Sequence, residues 1–252
     1  MTTYTYNANF YKYLNQGAVA SAEVVVSSLI DLIPYKIESV LDVGCAAGAW
    51  LSIWKENGCQ ITGLDGDYVE ESMLLIDPSE FQAKDISQPF SIERRFDLCQ
   101  SLEVAEHIPN TASEQFVDCL CRASNIVLFS AAPPGQGGEN HINEQPYEYW
   151  RNLFEDKGYQ MYDAVRPAMR GNKNVMPWYR YNIFLFVKRS CLPTVHERLA
   201  DYRVEPEQKP EDTSPLHYRL RKFLTASLPN EQQTQLAVVK KKIINTVLRW
   251  TT

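Results

Sequence analysis

The chain has 252 residues, 44% hydrophobic and 22% charged, a length that holds one sizeable core and an appendage. These fractions are those of a folded soluble protein and exclude a wholly disordered chain, a collagen-like repeat and a disulfide scaffold. The net charge of −6 is unevenly spread: residues 216–252 carry seven basic groups and one acid, residues 190–215 carry three and six, and the first 189 residues therefore hold −9, which argues against a face that binds nucleic acid.

In chain order, residues 18–33 read as a helix stopped by Pro34. A short apolar strand at 40–43 meets a glycine-containing turn and a helix over 47–56, which Asn57 and Gly58 end. Strand 59–64, helix 69–76 and strands 81–86 and 95–104 follow. Residues 110–123 read as a helix with Thr111 and Ser113 as candidate caps, and 125–131 as a fifth strand. A helix over 146–157 precedes a hairpin whose arms are 158–165 and 179–189. Such alternation, with short and nearly all-apolar strands, calls for a parallel sheet covered on both faces by helices. The proline-containing, acidic stretch 204–215 reads as part of a linker. This divides the chain into a main domain over 1–189, a linker over 190–215 and a basic helical tail over 216–252.

Six cysteines without a CxxC pair, and an N-terminus without a basic region followed by an apolar run, point to a reduced, cytoplasmic protein. No apolar run approaches the roughly 20 residues that a membrane-spanning helix needs.

The first strand runs into Asp42, Gly44, Cys45, Ala46, Ala47 and Gly48. Small residues at 44, 46 and 48 let a ligand approach the backbone at the carboxyl edge of the sheet. Asp65, after the second strand, stands where an acid accepts from ribose hydroxyls. Asp42 has no compensating base nearby and would repel a pyrophosphate, which disfavours a nicotinamide oxidoreductase. S-adenosylmethionine answers all three features, with a sulfonium, an ammonium and a ribose; Asp85 and Ile86 offer a carboxylate and an apolar face to its adenine.

Taken together, VLDVGCAAGAWL, GLDGDYV, KDI and FDLCQSLEVAEHI resemble the class I S-adenosylmethionine-dependent methyltransferases over about residues 17–188. The resemblance implies a Rossmann-like α/β fold: a seven-stranded, mostly parallel sheet with an antiparallel last strand and helices on both faces. The helical tail would be an extension of that fold. It implies that Asp42, Gly44, Ala46 and Gly48 line the methionine end, that Asp65 holds the ribose, Asp85 and Ile86 the adenine, and that Ser101 and Leu102 line the site past the fourth strand. The family usually has glycine where this chain has Ala46.

Glu103, Glu106 and His107 follow the fourth strand, and His141 the fifth. Two carboxylates and two imidazoles make a mixed oxygen and nitrogen site for a divalent ion. The pattern resembles the magnesium-type site of small-RNA 2'-O-methyltransferases and, in part, that of ubiquinone-pathway O-methyltransferases; Mg2+ is the ion this implies. Without a metal, His107 or His141 is the candidate general base. The loop 131–141 is either a gate over the acceptor or a long turn. Residues 176–182, MPWYRYN, are a candidate acceptor-lining segment, with Arg180 able to orient an anion. In the tail, Leu236, Val239, Ile243, Val247 and Trp250 recur at helical spacing opposite a set of basic residues, which suits a peripheral membrane contact or packing on protein.

The function read from these residues is methylation of an oxygen on a small molecule or carbohydrate by in-line transfer. The alternatives are a binding or scaffold protein that keeps the fold without transfer, and a 2'-O-methyltransferase of RNA ends.

Overall fold

The structure is a computed structural model that describes residues 8–90 and 92–251. The reading of the N-terminal leader falls partly on residues 1–7, outside the described residues, and the side chains of Val247 and Trp250 are likewise outside them.

One sheet of seven strands organises the chain: β1 (Ser39–Val43), β2 (Gln60–Asp65), β3 (Phe81–Ala83), β4 (Leu98–Leu102), β5 (Ile126–Ser130), β6 (Tyr159–Tyr162) and β7 (Phe184–Lys188). Their order is β3-β2-β1-β4-β5-β7-β6, parallel except that β7 runs antiparallel to both neighbours. β4 and β5 are buried along their whole length. Alternate residues therefore serve opposite layers: Leu98, Ile126, Leu128 and Leu185 pack in one core cluster, while Cys99, Val127, Phe129 and Phe186 pack in the other.

On the first face lie α1 (Ala8–Leu32) and α2 (Ala49–Glu56). Ala22, Val25, Val26 and Leu29 of α1 are fully buried at the i, i+3, i+4, i+7 spacing of a helix stripe, and each of its larger members contributes about 1.5–3 kcal/mol. On the second face lie α3 (Ser113–Ala123) and α4 (Tyr147–Asp156); Phe116 of α3 is buried in the core cluster on this face, and Phe154 of α4 packs on Phe129 of β5 and Phe186 of β7. Short helices α5 (Arg166–Met169), α6 (Pro177–Asn182) and α7 (Pro193–Arg198) link and follow the last strands, and α8 (Leu216–Ala226) and α9 (Asn230–Thr251) form the tail. Among the described residues no helix is long and apolar enough to cross a membrane.

The structure corrects four details of the sequence reading. Residues 69–76 form no α-helix, only a 3-10 turn at Glu71–Met73. Leu75 N–H is instead drawn to Ala47 O at 2.8 Å, and Ile76 packs over Gly48. Residues 177–182 are helical, because Pro177 at the first position suits a helix start, so the last strand begins only at Phe184. Neither Thr111 nor Ser113 caps α3; Ser113 Oγ accepts a hydrogen bond from Asn143 Nδ2 instead. The first helix starts well before residue 18.

The stretch 204–215 lies along the main domain. Arg151 Nη1 donates to Gln208 O at 2.5 Å and Arg166 Nη1 to Glu211 O at 2.8 Å.

Candidate active site

The sheet order reverses between β1 and β4, and ligands of open α/β sheets bind in the crevice at the carboxyl ends of such a pair. Asp42 and Asp65 stand there, 3% and 4% exposed. Gln100 Nε2, from the neighbouring position on β4, donates to Asp42 Oδ2 at 2.8 Å, and Trp54 Nε1 fixes that glutamine by donating to its Oε1 at 2.9 Å. Burial pushes the Asp42 carboxyl up to about 7, against the stabilising Gln100 bond and with a smaller upward push from Asp65. No cation pairs with it among the described residues.

The turn between Asp42 and α2 passes through left-handed conformations at Gly44 (φ 86), Ala46 (φ 47) and Gly48 (φ 80). A side chain at Gly44 would meet Val104, so this glycine is required by space as well as by φ. Ala46 pays the usual cost of a left-handed non-glycine, offset locally because its N–H donates to Asp65 Oδ2 at 2.7 Å. Asp65 Oδ1 accepts from Gly66 N–H at 2.7 Å and from the Tyr68 hydroxyl. Tyr68 is 70% exposed, so this hydroxyl approaches Asp65 from the solvent side.

Asp85 is exposed beyond β3, where its Oδ1 accepts from Ser87 N–H and Oγ, and Ile86 is half-buried beside it. Ser101 and Leu102 are buried at the end of β4, and the Ser101 hydroxyl has no hydrogen-bond partner among the described residues.

Past β4 the chain turns sharply: Glu103 has φ 58. Its carboxylate is gripped by amides, Oε2 accepting from Gln136 Nε2 at 2.6 Å and Oε1 from Asn182 Nδ2 at 3.1 Å. Asn182 Nδ2 also donates to Gln136 Oε1, and the Tyr147 hydroxyl donates to Asn182 Oδ1. Burial raises the Glu103 carboxyl above its ordinary range, opposed by these amides.

Glu106 O accepts from the N–H groups of Ile142 and Asn143, and this seam brings His141 beside His107, ring centroids 4.8 Å apart. His141 Nδ1 donates to Glu144 Oε1 at 2.7 Å, and Glu144 is itself held by the N–H groups of Gly135 and Gly137, each at 2.7 Å. His107 Nδ1 faces Asn140 O at 3.3 Å. Desolvation of the inner part of the His107 ring, with neighbouring His141, lowers its pKa. Glu106 is fully buried, its two carboxylate oxygens make no well-formed hydrogen bond among the described residues, and burial followed by the Glu103 charge drives its pKa well up, opposed by the nearby backbone N–H groups of Glu106 and Ala132.

Of the four residues read as metal ligands, three come together: one donor atom each from Glu106, His107 and His141 lie within 4.8 Å of one another. Glu103 is not in the set, because Gln136 and Asn182 hold its carboxylate. The supporting residues Trp54, Gln100, Gln136 and Asn182 escaped the sequence reading as site residues. Glu144 stands in the segment 141–144 that the sequence places past the fifth strand, where no role is assigned to it.

Residues 22–165, more than half of the chain, match the family model described as a methyltransferase domain. The ubiquinone biosynthesis O-methyltransferase of Stutzerimonas stutzeri is 29% identical over 121 residues, 44% of this chain and 47% of that protein. Its counterpart in Pseudomonas paraeruginosa is 28% identical with the same shares. The alignment thus spans about half the length of these curated relatives. Among solved structures, the sugar N-methyltransferase KedS8 from Streptoalloteichus sp. shares the fold with a TM-score of 0.53 at 17% identity, over 71% of this chain and 91% of that one.

Proposed function

This chain belongs to the methyltransferase-domain family, with the fold of the class I S-adenosylmethionine-dependent enzymes, and we propose that it methylates a hydroxyl of a small molecule or sugar with S-adenosylmethionine as donor. The observation that carries this reading is the pair of buried carboxylates, Asp42 and Asp65, flanking a left-handed turn at the point where the sheet order reverses. The pair fits the donor: Asp42 has no cation paired with it among the described residues, and Asp65 Oδ1 accepts from the hydroxyl of the exposed Tyr68 as well as from Gly66 N–H. When bound, the donor supplies an activated methyl group to an acceptor held in line behind it.

The chain's own residues then have separable tasks. Asp42 takes the donor's ammonium, held in place by Gln100. Asp65 exchanges the Tyr68 hydroxyl for those of the ribose. Asp85 and Ile86 meet the adenine, while Ser101 and Leu102 form the wall beyond β4. His141 accepts the acceptor's proton at Nε2, because Glu144 commits its Nδ1. His107 lies against it as a weaker base. The curated relatives are named O-methyltransferases, which supports oxygen as the accepting atom. Calorimetry with S-adenosylhomocysteine tests the donor site, and transfer of labelled methyl to a panel of hydroxylated small molecules tests the reaction. Binding without any transfer would favour the scaffold reading.

A second reading rests on the orphaned Glu106 carboxylate. Both imidazoles beside it have their other ring nitrogen turned to an oxygen, Glu144 for His141 and Asn140 O for His107, an arrangement usual for histidines that ligate metals. One carboxylate and two imidazoles fit a borderline ion such as Mn2+, Fe2+ or Zn2+ better than Mg2+, which prefers oxygen ligands. Such an ion would supply Lewis-acid assistance at the acceptor. Metal analysis of the purified protein, before and after chelation, decides between a loaded site and a base.

A further inference from the structure

The tail meets the main domain along the loop 131–141 and α6. Two of its lysines are neutralised there: Lys222 Nζ pairs with Asp212 at 2.6 Å and Lys241 with Glu139 at 3.1 Å. Three other cations at the same junction have no carboxylate partner among the described residues: Arg180 of α6, Arg221 of α8 and Lys240 of α9.

Their arrangement is that of a holder. Tyr181 and Tyr218 face each other across the junction with ring centroids 5.7 Å apart. The Arg180 guanidinium carbon lies 5.6 Å from the Tyr181 ring centroid, and that of Arg221 lies 4.6 Å from the Tyr218 ring centroid. Arg180 spends its terminal nitrogens on Val175 O and the Tyr181 hydroxyl, and Arg221 spends one on Gln136 O. Nε of each arginine is buried with no partner among the described residues. Lys240 is close enough to Arg221 that the two charges disfavour each other, an effect second to that of Lys240's own partial burial. Like charges gathered at a half-dry junction, with donors left over, cost stability unless an anion joins them. Glu103 is not that anion, since Gln136 and Asn182 already hold it.

We propose that Arg180, Arg221 and Lys240 form a subsite for a phosphoryl group carried by the methyl acceptor. Planar guanidiniums braced by aromatic faces suit phosphate oxygens. The subsite adjoins the active site through one residue: Gln136, whose carbonyl accepts from Arg221, donates its side chain to Glu103 at the end of β4. The tail thereby becomes part of acceptor recognition. This deepens the methyl-transfer reading and rests on it for the word acceptor, whereas the anion site itself does not.

The test is calorimetric titration of the whole protein with pyrophosphate, beside a separate titration with S-adenosylhomocysteine. Pyrophosphate should bind the unaltered protein, and its affinity should fall about tenfold for Arg180→Gln or Arg221→Gln and several-fold for Lys240→Gln, with S-adenosylhomocysteine affinity unchanged. Lys240 is only partly desolvated and stands at the surface of α9, so its replacement disturbs the fold least of the three and keeps the test valid if an arginine variant unfolds. Vesicles identify the source of the phosphate, since Leu216, Leu220, Phe223 and Leu224 make an apolar strip on α8 that is at least 56% exposed at each position. Pyrophosphate-competed binding to phosphatidylglycerol but not phosphatidylcholine vesicles assigns it to a lipid headgroup; pyrophosphate binding without vesicle binding assigns it to a soluble acceptor. Failure of pyrophosphate to bind, or an affinity in all three variants equal to that of the unaltered protein, overturns the subsite; if S-adenosylhomocysteine still binds, the donor reading survives that result.

Discussion

Replacing Asp42 with asparagine should stabilise the ligand-free protein, and the gain should grow with pH. Asp42 titrates near 3.8 when exposed and is pushed up to about 7 in the fold. Between these values the folded state holds a proton that the unfolded chain has lost, so stability falls as pH rises. The slope is about 1.4 kcal/mol per pH unit, and the loss over the whole window comes to about 4 kcal/mol. Asparagine has no charge to bury and can still offer its oxygen to Gln100 Nε2. The difference between variant and parent should therefore be small near pH 3, about 2 kcal/mol at pH 5 and about 4 kcal/mol at pH 8, flattening above pH 7. Urea unfolding at each pH, with the slope in denaturant unchanged, measures it directly. By heat, the alkaline gap corresponds to roughly 10 °C in midpoint for a chain of this size. A gap that stays constant from pH 5 to pH 8, or an asparagine variant less stable than the parent at pH 8, would refute the claim that Asp42 is held uncompensated for a ligand. The same substitution should remove binding of S-adenosylhomocysteine, so that stability and function move in opposite directions.

Further outcomes follow from the same geometry. Affinity for S-adenosylhomocysteine should fall about tenfold per unit below about pH 7, because the ammonium needs Asp42 ionised; a flat calorimetric profile from pH 6 to pH 8 would detach Asp42 from the cation. Ala46→Gly should leave stability equal or raise it by up to about 1 kcal/mol, since φ is 47. Gly44→Ala should cost about 2 kcal/mol or more in urea unfolding, since its Cβ would run into the Val104 side chain at a φ of 86. Glu144→Gln should lower kcat by roughly 100-fold with little change in donor affinity, because His141 loses the carboxylate that fixes its tautomer while Asp42 and Asp65 are untouched. Glu106→Gln should leave the fold intact and abolish retention of a divalent ion measured by elemental analysis; full activity after exhaustive chelation would remove the metal reading.

Much of the fold was legible because its strands are short and buried on both faces. Residues 40–43 and 125–131 announce strands by apolar character alone, and the glycines and Asn57 punctuate the helices between them. The segment 69–76 was not legible. Its helix-forming residues are overruled by a tertiary contact, the pull of Ala47 O on Leu75 N–H and the seat of Ile76 over Gly48, neither of which local pattern records. Residues 179–182 failed for the opposite reason: aromatic side chains suggest a strand, yet Pro177 starts a helix that sets Tyr179 edge-on to Trp50, ring centroids 4.9 Å apart. In the site, Asp42 and Asp65 could be found by their distance along the chain. Gln100, Gln136 and Asn182 could not, because a lone amide in a sequence carries no chemistry until a carboxylate lies within reach.

The turn at Glu103 explains why these amides belong together. A glutamate with φ 58 is strained, and strain of this kind persists only where the surroundings over-determine it. Here its N–H donates to Ser130 O at 3.0 Å, and its carboxylate is held from the loop after β5 by Gln136 and from the end of α6 by Asn182. Three separate chain segments thus agree on one side-chain position at the end of β4. Arg221 adds a fourth from the tail by holding the Gln136 carbonyl. Loss of Arg221 should therefore reach Glu103 through one residue, and loss of Lys240, which makes no hydrogen bond to Gln136, Asn182 or Glu103 among the described residues, should not. Comparing Arg221→Gln with Lys240→Gln for transfer to an acceptor without phosphate separates the two effects: only the arginine variant should lose rate there, and equal rates in both would show that Gln136 keeps its place without the tail.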